Sequence, residues 1–315
     1  MKTLVLISGG LDSALAVKLL CEQNIEVIGV NVSTRFSGGK TDHAALIAED
    51  LGVRFIRIKA QDDYIDMLKN PKHGYGSNFN PCIDCHIYMI RKAGELLESE
   101  GASFIATGEV LGQRPMSQNK GSLLRVERES GVEGLLLRPL SAKRLKMTIP
   151  EREGWVDREK LLGIEGRGRK VQLDLAEKYG LSGYSAPAGG CLLTNREFST
   201  RLRDLLGVKS DLIDEDIELL KVGRHFWHGD TQVIVGRNHN ENLLVLGLNG
   251  AEDCVLHVAD SPGPVTIIRG DIDDDVIRYA ARLTAKYAHL PGSASVEYSI
   301  GDDKRVIEVD VPFEE

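Results

Sequence analysis

Long apolar runs are missing from this chain of 315 residues. No stretch approaches the roughly 20 apolar residues that a helix needs to cross a bilayer, so no membrane partner is predicted. The N-terminus runs directly into a short apolar segment and leaves no room for a secretory signal peptide. The cytoplasm is therefore the expected location.

The charge and the cysteine content exclude two further classes of protein. A net charge of −8 is not the overall basic excess that marks many nucleic-acid binders. Five cysteines are an odd number. Without an export signal, they argue against a disulfide framework and for metal binding or catalysis by some of them. The length allows two or three domains with cores of their own.

The first twenty residues are the most informative. An apolar run at 4–7 predicts a buried parallel strand, and residues 14–20 predict a helix. Between them the sequence reads Ser8-Gly9-Gly10-Leu11-Asp12-Ser13. Glycines let backbone N–H groups approach an anion, and a following helix adds free N–H groups and the positive end of its dipole. The segment therefore predicts a phosphate cradle, with a plain tight turn as the alternative.

This loop lacks the Gly-Lys-Ser/Thr of a Walker loop and the spaced glycines of a dinucleotide fold. It resembles the PP-loop of the ATP pyrophosphatase superfamily, whose members cleave ATP to AMP and pyrophosphate and usually adenylate a substrate. The resemblance implies ATP and Mg²⁺ as cofactors, with the phosphates held by residues 8–13. It also implies that Asp12 orients the nucleotide or the metal.

Apolar segments alternate with helical patterns over the residues that follow. Strands predicted at 4–7, 26–32 and 53–58, with a helix over 41–51, indicate an α/β fold with a doubly wound parallel sheet. Ligands on such sheets bind at the carboxyl ends of the strands, where the 8–13 loop falls. By analogy of fold, the end of the second strand, including Asn31, is expected next to the adenine.

A C-x-x-C pair precedes a helical pattern at 87–100, in Asn80-Pro81-Cys82-Ile83-Asp84-Cys85-His86. Two thiols at a helix start can share a metal or exchange a disulfide, and the helix N-terminus favours the thiolate. Two incidentally spaced buried cysteines are the alternative. A zinc site would need four ligands, but the chain has no second C-x-x-C, and His73 and His86 lack ligand spacing.

A further short strand is predicted at 102–108, ends in a glycine and continues into a polar, glycine-rich loop that is expected to line the nucleotide site. It reads Thr107-Gly108-Glu109-Val110-Leu111-Gly112-Gln113. This loop resembles the Gly-Glu-Ser-Leu-Gly-Gln signature of tRNA 4-thiouridine synthetases, with Val110 in place of serine. The C-x-x-C loop resembles that of tRNA 2-thiouridylases. With the PP-loop, these motifs match a thiolating enzyme whose nucleotide site includes Thr107, Gly108 and Gln113.

A third cysteine, Cys191, lies in a loop of small residues at 184–191. In the resembled thiolases a downstream cysteine enters the site and works with the first, and Cys191 fits that role by its order and context. Cys21, at the end of an apolar helix, and Cys254, in a predicted strand, are expected in the core.

Cys82, Cys85 and Cys191 are one thiol more than a simple persulfide mechanism needs. The resemblance to three-cysteine thiolases implies a [4Fe-4S] cluster that the three thiolates hold, with one iron open to an extra sulfide. The competing expectation is an iron-free cycle in which one cysteine carries a persulfide and another resolves it as a disulfide. We favour the cluster; in both cases the three thiols are catalytic, and in the first they are also metal ligands.

Residues 138–170 carry ten Lys or Arg against five Asp or Glu, including a run at 167–170 and the pair Arg144 and Lys146. Such a local concentration suits contacts with an RNA backbone despite the acidic total. A solvated helix face is the alternative for any one of these residues.

Beyond an acidic run at 211–216 the pattern changes to short strands at 231–238, 243–246, 254–258 and 265–270, then a helix at 273–287 and a hairpin. This predicts a small α+β domain. The segments Val235-Gly236-Arg237-Asn238-x-x-x-Asn242 and Ala259-Asp260-Ser261-Pro262-Gly263-Pro264 resemble the RNA-binding domain of NFACT ribosome-associated proteins. Residues 257–258 depart from that family's pattern.

We therefore expect a PP-loop catalytic domain at 1–165, a helical connecting segment at 166–212 that carries Cys191, and an RNA-binding domain at 213–315. The resemblances imply a tRNA sulfurtransferase that adenylates a uridine carbonyl oxygen and replaces it with sulfur. The Gln113 loop favours carbon C4, although the tandem THUMP-type domain of that family is absent.

The expected partners are tRNA, a sulfur donor (a persulfide carrier or inorganic sulfide) and a second copy of the chain in a homodimer. One alternative function is a PP-loop ligase or amidotransferase that acts on a small molecule. The other is a non-catalytic RNA- or ribosome-associated factor.

Overall fold

The computed structural model describes residues 1–37, 41–185, 191–290 and 292–311. By their internal contacts the residues divide into two compact units, Met1–Asn195 and Arg196–Glu315. Within the described ranges, no helix is both long enough and apolar enough to cross a membrane.

The first unit alternates strands with helices. In chain order its elements are β1 (Lys2–Leu6), α1 (Leu11–Cys21), β2 (Glu26–Ser33), α2 (His43–Asp50), β3 (Arg54–Lys59), α3 (Asp62–Lys69), α4 (Cys82–Gly94), β4 (Phe104–Thr107), α5 (Lys120–Glu129), β5 (Leu136–Leu137), α6 (Ile149–Arg152) and α7 (Lys170–Tyr179). Short 3-10 turns lie at Ala142–Arg144, Arg158–Lys160 and Leu192–Thr194.

These strands form a five-stranded parallel sheet in the order β3-β2-β1-β4-β5. Val5 and Leu4 of β1 face opposite sides of the sheet. Val5 packs with α1 and α2, and Leu4 packs with α4 and α5. Both are 0% exposed, which agrees with the short apolar run. The predicted doubly wound parallel sheet is confirmed.

The strand order also fixes where a ligand can bind. The chain leaves β1 for β2 on one side of the sheet and returns to β4 on the other side of β1. The connections diverge there and leave a crevice at the carboxyl ends of the strands. The loop at 8–13 and the loop after β4 both open into this edge of the sheet.

The second unit begins with α8 (Arg196–Val208) and α9 (Asp214–Leu219). It continues with β6 (Arg224–His228), β7 (Thr231–Val235), α10 (His239–Gly247), β8 (Cys254–Val258), β9 (Thr266–Arg269), α11 (Asp274–Tyr287), β10 (Gly292–Ile300) and β11 (Asp303–Val311). Its six strands form an antiparallel sheet in the order β11-β10-β8-β9-β7-β6, and α11 packs on one face. Cys254 is completely buried in that core, as expected. The predicted α+β fold of this region is confirmed.

The strand predicted at 243–246 is wrong, because these residues lie in α10. A short apolar run cannot by itself distinguish a strand from a buried helix turn. The better signal was Asn238, whose side chain caps the helix by accepting the N–H of Glu241. The segment at 166–212 contributes α7 to the first unit and α8 to the second. The predicted domain boundaries stay a prediction, and part of the predicted loop around Cys191, at 186–190, lies outside the described residues.

Candidate active site

The loop between β1 and α1 adopts a conformation that its glycines permit. Gly9 has a φ of +83°, and a Cβ there would lie 2.6 Å from the Cβ of His43. Gly10 stands at the N-cap of α1, and no described side chain caps this helix. The free N–H groups of the first turn and the positive end of the helix dipole therefore face the loop, as an anion site requires.

The two serines hold the loop in shape. Ser13 donates its hydroxyl to the carbonyl of Gly10 at 2.8 Å and accepts the N–H of Ser8 at 3.3 Å. The N–H of Gly10 lies 3.4 Å from the hydroxyl oxygen of Ser8. In this structure the serine hydroxyls thus brace the backbone that would meet the phosphates.

Gly108, directly after β4, contributes space. A Cβ there would lie 2.5 Å from both the carbonyl carbon of Asp12 and the amide nitrogen of Ser13. Any side chain at this position would therefore displace the first turn of α1. The glycine that was predicted to bind the nucleotide thus sets the position of the cradle itself.

Asp12 is held in one orientation by its neighbours. Its Oδ2 accepts a hydrogen bond from Nε2 of Gln113 at 2.7 Å, and Gln113 accepts one from Nε2 of the buried Gln172 at 3.3 Å. Oδ1 lies 4.0 Å from Nη2 of Arg169 and is buried, without a hydrogen-bond partner among the described residues. An unsatisfied buried carboxylate oxygen is costly, and it fits Mg²⁺, which commonly takes one or two carboxylates together with substrate phosphates.

Two other segments close around the cradle. Asn31, at the end region of β2, donates its side-chain amide to the carbonyl of Ile7 at 2.7 Å. Ser185, just before the undescribed residues, donates its N–H to the carbonyl of Gly9 at 2.8 Å. Contact between residues 30–33 and the adenine stays a prediction.

Cys82 is the first residue of α4, and Cys85 follows one turn later. Cys191 is brought towards them by the residues that follow it. The N–H of Leu192 donates to the carbonyl of Phe36, after β2, at 3.0 Å. The N–H of Phe79, just before α4, donates to the carbonyl of Leu193 at 3.3 Å. Backbone pairing on both sides therefore fixes this segment against the start of the cysteine helix.

The three thiols influence one another electrostatically. The pKa of the Cys85 thiol is raised to about 12, chiefly by burial; the nearby Cys191 and Cys82 contribute to this rise, and a hydrogen bond from Tyr64 opposes it. The Tyr64 hydroxyl lies 3.3 Å from the Cys85 sulfur. Burial also raises the pKa of Cys82 and of Cys191, while the charge of Arg114 opposes both shifts. The structure thus places the predicted catalytic thiols within electrostatic range of one another, and it adds Tyr64 and Arg114, which the sequence motifs did not indicate.

The predicted metal site does not appear in this arrangement. Among the residues that the structure describes, no group of three or more His, Cys, Asp and Glu side chains could hold a metal ion. Thiolates are the usual donors to iron–sulfur clusters, but Cys82, Cys85 and Cys191 as placed here do not fit one. We derive no chemical step through a cluster.

A buried ion pair links the cysteine helix to the end of β4. Glu109 accepts hydrogen bonds from Nδ1 of His86 at 2.8 Å, from Nε of Arg138 at 3.0 Å and from Oγ1 of Thr107 at 3.0 Å. Burial alone would raise the pKa of the Glu109 carboxyl, but the charge of Arg138 and the bond from His86 outweigh it and lower the pKa to about 2. Sequence reasoning missed this network, because its members lie far apart in the chain and no local pattern joins them.

The basic segment is less available to RNA than its composition indicates, because Arg138 is buried and many of its other cations are paired. The pairs within the segment are Lys143–Glu159, Arg144–Glu165, Arg158–Glu151 and Lys160–Asp157. Apart from Arg158–Glu151, in which Glu151 is buried, these pairs are exposed; exposed pairs are weak and can exchange a carboxylate for a phosphate.

In the second unit, the motif residues support the fold. Asn242 donates its side-chain amide to the carbonyl of Gly263 and accepts the N–H of Val265, both at 3.1 Å. A Cβ on Gly236 would lie 2.1 Å from the side-chain oxygen of Asn242. These residues therefore fasten α10 to the segment that enters β9.

The fold and the site define a two-unit protein in which a PP-loop type nucleotide cradle with thiols beside it is followed by a separate antiparallel-sheet unit. Residues 1–150 match the family model of the tRNA methyl transferase HUP domain, and residues 223–313 match that of the NFACT protein RNA binding domain. Both resemblances that the motifs suggested are thereby confirmed.

The chain is similar in sequence to proteins named tRNA-specific 2-thiouridylases. It is 27% identical to the tRNA-specific 2-thiouridylase MnmA of Pelobacter propionicus over 338 residues, which cover 98% of this chain and 89% of that protein. It is 33% identical to the tRNA-specific 2-thiouridylase MnmA 1 of Fusobacterium nucleatum subsp. nucleatum over 33% of this chain and 29% of that protein. A solved complex of a 4-thiouridine synthetase with RNA and ATP is 22% identical, with a TM-score of 0.35 over 45% of this chain and 37% of that chain.

Proposed function

We propose that the chain is an ATP-dependent tRNA sulfurtransferase that replaces a uridine carbonyl oxygen with sulfur. The observation that carries the proposal is that one unit holds both the glycine loop and three thiols within electrostatic range of one another, with Glu109 bonded to His86 of the cysteine helix and Gly108 against the loop. A PP-loop ligase has no need of thiols beside its cradle. The relationship to 2-thiouridylases over 98% of the chain and the match to an RNA-binding domain support tRNA as the substrate.

The first step activates the oxygen. ATP binds with its phosphates on the backbone of residues 8–13, where N–H groups and the helix dipole stabilise their charge. Asp12, which Gln113 orients, is the residue that fits Mg²⁺, and the metal neutralises phosphate charge. The uridine carbonyl oxygen attacks the α-phosphorus, the bond to pyrophosphate breaks and the base releases its N3 proton. AMP is then the leaving group on the base.

The second step brings in sulfur. One of the three thiols carries a persulfide, which it receives from the sulfur donor, and the terminal sulfur attacks the adenylated carbon as AMP leaves. A second thiol attacks the cysteine sulfur of this adduct, forms a disulfide and releases the thiolated base. A dithiol reductant then restores both thiols. The raised pKa of Cys85 implies that its proton must be removed before the thiol can act as a nucleophile.

We propose carbon C2 as the site of thiolation. The expectation of C4 came from Gln113, but the side chain of Gln113 is engaged with Asp12 and Gln172 and gives no reason to choose C4. The related proteins that align with most of this chain are named 2-thiouridylases, which supports C2.

The alternative sulfur carrier is a [4Fe-4S] cluster on the same three thiols, which would have to move together to hold it. Iron and sulfide analysis of anaerobically purified protein distinguishes the two routes. A colourless, iron-free and active protein supports the persulfide, whereas a brown active protein that absorbs near ~400 nm supports the cluster.

The decisive test is mass spectrometry of tRNA nucleosides from cells that lack this chain. We expect 2-thiouridine derivatives to disappear and to return with the wild-type chain but not with Cys191→Ser. If every thiolated nucleoside persists, the proposal fails, and a small-molecule ligase or an RNA-associated factor becomes the better explanation. The cytoplasm stays the predicted location.

A further inference from the structure

Glu109 receives hydrogen bonds from three different parts of the first unit. They come from His86 in α4, Thr107 at the end of β4 and Arg138 directly after β5. The Glu109 side chain is 7% exposed. Because an ionised carboxylate only accepts, each partner donates, and His86 carries a proton on Nδ1.

Glu109 adjoins both parts of the candidate site, the cysteine helix and the phosphate loop. His86 directly follows Cys85, so the Glu109 carboxylate holds the helix that presents both C-x-x-C thiols. Gly108, the residue before Glu109, packs against the backbone of Asp12 and Ser13 in the cradle. The carboxylate therefore lies on a short path between the thiols and the phosphate loop.

Arg138 fixes the carboxylate from the opposite side. Its Nη1 donates to Glu127 and its Nη2 to the carbonyl of Leu123, both at 3.0 Å, while Nε donates to Glu109. The Arg138 side chain is 3% exposed. A buried network with all its partners in place is rigid, whereas removal of one partner leaves a charge that water cannot compensate.

We propose that Glu109 is a positioning residue that, through His86, fixes the cysteine helix relative to the ATP cradle. This inference rests on the proposed function in one respect: the thiols have to act on a substrate that is activated at the cradle. Sulfur transfer requires the attacking atom close to the activated carbon. A misplacement of about 1 Å is enough to lower a rate by about 100-fold.

The test begins with Glu109→Gln, which keeps the volume but directs an amide NH₂ at one of its three donors. We expect kcat for thiolation to fall by about 10- to 100-fold while KM for ATP changes by less than about 3-fold. The rate at which diamide joins Cys191 to a cysteine of α4, followed by peptide mass spectrometry, should change by at least about 3-fold. This second readout needs neither tRNA nor ATP.

His86→Gln supplies a double-mutant cycle, because His86 is only half-buried and its replacement is milder. If Glu109 acts through His86, the double variant loses no more thiolation activity than the more affected single variant. Losses that multiply would mean that the two residues act independently, and the proposal would be overturned.

Glu151→Gln is the matched control. Glu151 is also a buried carboxylate, but the hydrogen bonds that it accepts in the described part of the chain come from Thr148 and Arg158 and not from α4 or β4. We expect this control to lower the melting temperature to a similar extent and to leave kcat and the crosslinking rate unchanged. If both variants lost kcat equally, or if the crosslinking rate of Glu109→Gln were unchanged, Glu109 would only stabilise the fold and the proposal would be overturned. If the wild-type chain does not thiolate tRNA, the crosslinking rate still decides the positioning role.

Discussion

Arg138 in the first unit and Arg269 in the second each pair with two carboxylates; Arg138 is buried and Arg269 is half-buried. Arg269 bonds Asp253 at 2.5 Å and Asp216 at 3.3 Å, and it also donates to the carbonyl of Leu248. These partners of Arg269 all belong to the second unit. The network of Arg138 instead continues through Glu109 to His86, beside a thiol of the candidate site.

The difference shows that the role of such an ion pair depends on which structural elements its hydrogen bonds connect. Replacing either arginine removes the cation beside a largely buried carboxylate, Glu109 or Asp253, so both networks matter for stability. Only the first also connects elements that carry candidate chemistry. We therefore expect substitutions in the first unit to separate activity from stability, and substitutions in the second unit to change stability and RNA affinity together.

The strongest expected effect is the loss of a thiol in the first unit. Cys191→Ser should lower tRNA thiolation by at least about 1,000-fold, because removal of a nucleophile commonly costs more than this. ATP affinity should stay unchanged, since Cys191 does not form the cradle. The measurements are thiolated nucleosides in treated tRNA and ATP binding by calorimetry. Cys21→Ser, a half-buried cysteine in α1, is the control, and equal activity of the two variants would contradict the proposed function.

In the second unit, Arg269→Met should destabilise the fold of that unit by about 3 kcal/mol, because the largely buried Asp253 loses its arginine partner, while Asp216 retains Lys209. Unfolding in urea, followed together with tRNA affinity, measures this change. ATP binding by the first unit should remain within about 2-fold of wild type, since it depends on residues 8–13. A parallel loss of ATP binding would break the contrast between the two units.

Gly108→Ala should weaken ATP binding by about 10-fold or more, because its Cβ would meet the backbone of Asp12 and Ser13 at 2.5 Å. Gly121→Ala is the matched control: its closest contact would be 3.4 Å from the Asn119 side chain, within a helix that favours alanine. Calorimetric titration with a non-hydrolysable ATP analogue compares the two. Unchanged affinity in Gly108→Ala would mean that the cradle does not depend on this contact.

The sequence allowed prediction of the elements that depend on local patterns. The apolar run at 4–7 predicted β1, because a strand that is buried on both faces shows no alternation with polar residues. The segment from Ser8 to Ser13 predicted the cradle, because all the residues that form it follow one another in the sequence. The helix α10 was missed because a run of four apolar residues fits both the helical and the strand period, and because the cap at Asn238 was overlooked.

The Glu109 network could not be predicted in the same way. Its members are separated by up to dozens of residues, and nothing local to Arg138 distinguishes a buried guanidinium from a solvated one. Composition even suggested the opposite, since Arg138 was counted with the cations expected to face RNA. Convergence of Cys191 with Cys82 could be proposed only from the resemblance, because the backbone pairing at Phe36 that accompanies it is non-local.

The smallest expected effect is on the pH dependence of the unfolding free energy. It should differ between Glu109, a buried carboxylate, and Glu129, a carboxylate nearer the surface of the first unit. The folded-state pKa of Glu109 is lowered from 4.5 to about 2. A depressed pKa contributes stability above about pH 4.5, and this contribution is lost as the pH falls towards about 2. The unfolding free energy of the wild-type chain should therefore decline more steeply across this window than that of Glu109→Gln. Glu129, whose pKa is also lowered to about 2 by hydrogen bonds from Lys72 and His73, lies nearer the surface, with a side chain that is 19% exposed and a Lys72 partner that is 72% exposed. Glu129→Gln should change the slope less, because water screens surface pairs. Denaturant unfolding at a series of pH values between 2 and 7 compares the three chains, and parallel curves for wild type and Glu109→Gln would contradict a buried, ionised Glu109.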